Sequence, residues 1–162
     1  MGLVFAAILI ILSILGALGY RFVYSGAQKE LNKALSGICL SGIVTMLACA
    51  MLTVADDPGS LFIFYTIYYL AYGVTIYTFV IFTYVFCFHK TRDIFQTPLF
   101  YGNITIALIL LYNLYAHNMF TVGFGEFNGH RIPVSVNQEL FFLYIAYLFM
   151  EAIICEMYLI SR

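Results

Sequence analysis

Long uninterrupted apolar runs organise the chain, and charged side chains fall almost entirely between them. Five runs stand out: Gly2 to about Tyr20, Ala34 to Ala55, Leu61 to Phe88, Gln96 to Phe120, and Leu140 to Ile160. A hydrocarbon core of ~30 Å is crossed by about 20 apolar residues in a helix. Each run therefore predicts one span (2–20, 34–55, 61–88, 96–120 and 140–160) of a single transmembrane domain covering 1–162. No run alternates apolar with polar residues as a barrel strand does, and a helix satisfies its own backbone in lipid. The pattern changes between the fourth and fifth runs, from Asn118 to Glu139. There Phe120–Phe127 and His130–Val136 flank Asn128-Gly129, a strong hairpin signal. Pro133 suits an edge strand. The predicted fold class is an all-α integral membrane bundle of five transmembrane helices with an outer β-hairpin between helices 4 and 5.

Composition sharpens this picture. Hydrophobic residues make up 64% of the chain and charged residues 9%, against roughly 45–50% and about 25% in soluble domains. Too little charge is present to cover a water-exposed surface, which excludes an ordinary cytosolic domain and a disordered tail. A net charge of −1 leaves no electrostatic footprint for nucleic acid. The first run carries no basic residue before Arg21 and is nearly of full span length, so it reads as a retained span, not a signal peptide. Arg21, Lys29 and Lys33 follow the first run, Lys90 and Arg92 the third, and Arg162 the fifth; the opposite side holds Arg131 alone. The positive-inside rule then places the N-terminus outside and the C-terminus in the cytoplasm of a cell membrane.

Candidate chemistry centres on Glu151. It stands 12 residues after Glu139 and 11 before Arg162, about 18 and 17 Å along a helix and close to the bilayer midplane. A carboxyl at that depth either binds a ligand, ion or proton or serves as an interhelical hydrogen-bonding group. Glu156 lies nearer the inner interface, within reach of Arg162. The chain has 14 tyrosines and no tryptophan, so the interfacial aromatic role falls to tyrosine. Tyr65, Tyr68, Tyr69 and Tyr72 share a broad face of the third span, suited to a pocket or to packing. Tyr77 and Tyr84 lie deeper, where each hydroxyl needs a partner. Asn113 and His117 are four apart and share a helical face; with Glu126 and His130 they make a polar outer patch without a metal-ligand signature. The candidate ligand-binding set is thus Glu151, Tyr65, Tyr69, Tyr72, Asn113 and His117. Cys39, Cys49, Cys87 and Cys155 read as buried thiols. Gly37, Ser41, Thr45 and Cys49, and likewise Ser13 and Ala17, follow the four-residue spacing of close helix packing in lipid. Asn103-Ile104-Thr105 matches a glycosylation sequon but lies inside a span. No catalytic constellation, metal site or cofactor motif is present.

Two stretches carry a family resemblance. One is the aromatic third span, Tyr65-Thr66-Ile67-Tyr68-Tyr69-Leu70 through Phe79 and Tyr84. The other runs from Asn113 to Ala146, with Asn113-Leu114-Tyr115-Ala116-His117, Phe120-Thr121-Val122 and Leu143-Tyr144-Ile145-Ala146-Tyr147. In these the chain resembles the N-terminal multi-pass sensor region of bacterial receptors, the seven-transmembrane histidine-kinase N-terminal family, a region that also precedes diguanylate cyclase domains. That resemblance implies a sensory module, with a small ligand and a homodimeric or cytoplasmic signalling partner. The family has about seven spans and continues into an output domain. The chain is accordingly either a fragment whose remainder would follow Arg162 or a short membrane protein of similar appearance. Two other functions compete: a small proton- or cation-coupled transporter or transporter subunit using Glu151, and a structural or assembly subunit.

Overall fold

The computed structural model describes residues 2–24, 29–88, 98–128 and 130–161. It is helical apart from one hairpin, in the order α1 (Gly2–Tyr24), α2 (Lys29–Val54), α3 (Pro58–Phe88), α4 (Pro98–Ala116), β1 (Phe120–Phe127), β2 (His130–Asn137) and α5 (Glu139–Ile160). Among the described residues, four helices are long and apolar enough to cross a membrane, over Leu31–Val54, Pro58–Phe88, Pro98–Ala116 and Glu139–Ile160; the apolar stretch of α1, Ala6–Arg21, is shorter.

The arrangement of polarity is that of a membrane protein. Large apolar side chains such as Leu18, Leu108, Phe149 and Ile160 point outward, while Ser13, Ser41, Thr66, Thr83, Asn113 and Glu151 are buried. The buried hydroxyls have local partners. Ser13, Ser41, Thr45, Thr66, Thr75 and Thr83 each donate to the carbonyl four residues earlier at 2.8–3.0 Å. In the absence of water this leaves few hydroxyls in need of a distant acceptor.

The small-residue ladder of α2 lies at its contact with α3. A β-carbon on Gly37 would stand 3.3 Å from Thr78 Cγ2, and Ser41 and Thr45 approach Thr78 and Thr75 hydroxyl to hydroxyl at 3.4 Å. On the other face, α1 meets α2 through Ala6, Leu9 and Ala50. The long α3 is the hub: it packs against α2, α4, α5 and β1.

Element ends depart from the apolar runs where polar side chains set the boundary. The third helix starts at Pro58, not residue 61, because Asp57 caps it: Asp57 Oδ1 accepts the Ser60 N–H at 2.9 Å, with Pro58 at the first helical position. The hydrogen bonds from Ser60 hold the Asp57 carboxyl below the usual carboxylate range. The fourth helix ends at Ala116 and not at Phe120. His117 takes a left-handed φ of 50° while its N–H still bonds Asn113 O at 3.0 Å, and the chain then turns into β1. The second helix reaches back to Lys29.

The hairpin pairs Phe120 with Asn137 through Phe127 with His130, antiparallel and without a bulge. Asn128 in its turn has a φ of 50°, as a two-residue turn of this kind requires. Lys90, Arg92, Arg162, Gly129 and the start of the predicted fourth span at Gln96 lie outside the described residues.

Candidate functional site

Two regions carry functional potential. The first is the end of the bundle roofed by the hairpin. Phe120 is fully buried there and packs edge-on against Tyr69 and Phe141 at 5.0 and 6.3 Å between ring centres. Two tyrosines of α3 bind β2: Tyr65 donates to Pro133 O at 3.3 Å, and the Tyr69 hydroxyl meets Ser135 Oγ at 3.0 Å. The Tyr69 carbonyl also accepts the Tyr144 hydroxyl from α5 at 2.8 Å. Tyr69 thus joins three elements. Gln138, the single residue between β2 and α5, donates its N–H to Met119 O at 2.8 Å.

Beside this roof a cleft of about 590 Å³ opens between α3, α4 and β1, lined by Pro58, Phe62, Ile63, Leu114, His117 and Val122 among others. The His117 ring packs on Phe62 with ring centres 4.5 Å apart.

The second region lies deeper. Glu151 on α5 is 0% exposed. Its Oε1 accepts a hydrogen bond from Asn103 Nδ2 on α4. The same amide approaches Leu99 O at 3.0 Å and the Tyr147 oxygen at 2.9 Å, sharing two hydrogens among three acceptors. The Tyr147 hydroxyl donates to Leu99 O at 2.8 Å. Glycine at 102 lets this happen: a β-carbon there would lie 2.6–2.9 Å from the Tyr147 ring and oxygen. Through these side chains α4 is held to α5. Glu151 Oε2 has no partner among the described residues, nor does the buried Tyr77 hydroxyl of α3, which lies within electrostatic reach of the carboxyl. No Lys, Arg or His occurs anywhere in α3, α4 or α5. An unpaired charge at a helix centre costs about 3 kcal/mol on insertion scales.

Four of the six candidate residues, Tyr65, Tyr69, Asn113 and His117, gather around Phe120 and Phe62, whereas Tyr72 and Glu151 lie apart from them. Tyr65 and Tyr69 are together, as anchors of the hairpin. Asn113, 0% exposed, is committed to the exit from α4: its Oδ1 accepts the Met119 N–H at 2.7 Å and its Nδ2 approaches Phe120 O at 3.4 Å. His117 lines the cleft. Tyr72 lies further along α3, on a groove of about 190 Å³ with Ile76, Ile145, Leu148, Phe149 and Ala152. Glu151 is joined to none of these five by a hydrogen bond. Its partners Asn103 and Tyr147 were not among the candidates. Asn103 has a visible signal, an amide inside an apolar run, but that signal reads first as an unusable sequon. No family model, curated protein or solved structure matches this chain.

Proposed function

We propose that the chain is a membrane-embedded sensory module. It crosses a plasma membrane five times, with its N-terminus outside and its C-terminus in the cytoplasm, in the manner of the bacterial multi-pass receptors it resembles. A small ligand, largely apolar and bearing one polar group, occupies the cleft beside His117. The hairpin moves with it, and α5 passes that displacement inward to a cytoplasmic signalling partner. The chain itself catalyses no reaction. The observation that carries this reading is the position of Tyr69, whose hydroxyl holds β2 and whose carbonyl holds α5. A shift of the roof is therefore felt at the start of the helix that leads inward. A ligand changes this balance only by binding two packings unequally. The positive-inside count supports the orientation, and the apolar outer faces of the helices support the bilayer as their solvent.

The test uses the full chain in lipid nanodiscs, spin-labelled at the exposed residues Leu40 on α2 and Ile160 at the far end of α5. Tyr69→Phe releases the hairpin and leaves the carbonyl bond in place. The expected result is a changed distance distribution between the two labels. An unchanged distribution, with the hairpin shown to be loosened by hydrogen exchange, refutes the relay. A second reading, a small proton- or cation-coupled transporter, draws on the unpartnered Glu151 oxygen; substrate flux in proteoliposomes that is abolished by Glu151→Gln would put it first.

A further inference from the structure

We propose that Glu151 binds an exchangeable proton on Oε2 and that the Tyr77 hydroxyl completes the site. The inference is independent of the sensory reading, because it rests on the interior of α3, α4 and α5 and not on the outer cleft.

The two carboxyl oxygens are in different surroundings. Oε1 accepts the Asn103 amide hydrogen, the role of a carbonyl oxygen in a carboxylic acid. Oε2 is buried and has no partner among the described residues. An acid proton therefore belongs on Oε2. Its counterpart is the Tyr77 hydroxyl, also unpartnered, on a residue only 8% exposed. A phenol oxygen both donates and accepts. The two groups make no direct hydrogen bond; through a bridging water, a protonated Glu151 would donate toward the tyrosine and an ionised Glu151 would accept from it. One water between the two groups would relay either bond, since a buried water needs two or more polar partners. The proton comes from bulk water and returns to it, and no oxidant or reductant is involved.

The surroundings fit a proton better than a metal cation. The titratable groups facing Glu151 are Tyr77 from α3 and Tyr144, Tyr147 and Cys155 from α5. From α4 comes Asn103, while the α4 tyrosines Tyr101, Tyr112 and Tyr115 are exposed on other faces. None of these groups is basic. Hard cations take six or more oxygens, often from unwound backbone in membrane sites. Here α3, α4 and α5 are continuous helices, and Glu151 Oε2 and the Tyr77 hydroxyl are the unpartnered oxygens of this site among the described residues, the third such atom, Asn118 Oδ1, lying beyond the end of α4.

The experiment uses the full chain in nanodiscs. Dicyclohexylcarbodiimide reacts with protonated carboxyl groups in apolar surroundings, and peptide mapping by mass spectrometry locates the adduct. The expected result is labelling of Glu151 at neutral pH, falling about tenfold per pH unit once the proton is lost and unaffected by sodium. In parallel, the infrared carboxylic C=O band should disappear in Glu151→Gln and change frequency in Tyr77→Phe. The reagent needs only the unmodified chain, so a Glu151→Gln variant that fails to insert does not spoil the test. Labelling of Glu156 without Glu151, or protection of Glu151 by sodium, overturns the proton assignment. A band unmoved by Tyr77→Phe overturns the role of the tyrosine.

Discussion

Replacing Asn113 with leucine should release the hairpin while leaving the rest of the bundle intact. The substitution keeps the branched shape and heavy-atom count of the side chain with somewhat larger methyl ends, so it removes hydrogen bonding without opening a cavity. The bond at stake is the one from the Met119 N–H to Asn113 Oδ1 at 2.7 Å, inside a site where Asn113 and Met119 are both essentially fully buried. A buried N–H left without an acceptor costs about 1–3 kcal/mol. The companion contact to Phe120 O is 3.4 Å long and adds little. At a tenfold change per 1.4 kcal/mol, a loss of about 2 kcal/mol speeds local opening roughly thirtyfold. Amide hydrogen exchange in nanodiscs reads this directly. Faster exchange is expected at Met119 and at Gln138, whose N–H bonds Met119 O, with α1 and α2 unchanged. If exchange at both amides stays as in the parent chain, Asn113 does not hold the roof, and its expected role as a ligand contact returns. If exchange rises equally in α1 and α2, the substitution has loosened the whole bundle and the local argument fails.

Gly102→Ala should destabilise the contact between α4 and α5. The new methyl displaces the Tyr147 ring; the helix-propensity gain of about 1 kcal/mol offsets the loss of a hydrogen bond of similar size, leaving an overpacking cost of about 1–3 kcal/mol. Mixed-micelle unfolding should register that cost, and it should vanish in a Tyr147→Ala background; an equal cost in both backgrounds refutes the mechanism. Asp57 gives a pH dependence of known sign. Its carboxyl is held low in the folded state, so the stabilisation is present above the ordinary carboxylate range and is lost as pH falls through the lowered folded value. The stability difference between the parent chain and Asp57→Asn should shrink over that acidic interval, and a difference independent of pH would show that the carboxylate has no part in capping α3.

The helices and the hairpin were legible because each rests on a local pattern. Runs of apolar residues marked the helices, four of which are long and apolar enough to cross a membrane among the described residues, and Asn128 lies in the turn. The ends were less legible. Met119 and Phe120 extend the apolar run past His117 and Asn118, but Asn113 directs its side chain forward to Met119, and His117 adopts φ 50°, which ends α4. The interior site was half legible. A carboxyl deep within an apolar run announces itself, so Glu151 could be found from spacing alone. Asn103 and Tyr147 could not, because their roles depend on α4 lying beside α5, and on Gly102 admitting the Tyr147 ring. Tyr72 shows the reverse error: it follows Tyr65 and Tyr69 at helical spacing, yet it stands about 10 Å further along the axis than Tyr65, and only Tyr65 and Tyr69 bond the hairpin.

The two polar regions are mechanically joined by α5. Tyr144 fixes this helix to α3 near the roof, and Glu151, seven residues on, fixes it to α4 through Asn103. Seven residues are close to two helical turns, so both groups project from nearly the same face. Rotation of α5 large enough to break the Tyr144–Tyr69 bond would therefore also withdraw Glu151 from Asn103, whereas translation along the axis would strain the two bonds in parallel. Coupling between sites requires an element with two arrangements that both sites bias. The element that touches both sites is α5, and coupling through it would be reciprocal as a free energy: if opening of the hairpin shifts proton binding at Glu151, then protonation of Glu151 shifts opening of the hairpin by the same amount. Measuring both by hydrogen exchange and labelling closes the cycle. A change in one direction without the other would mean that the roof and the buried carboxyl act independently.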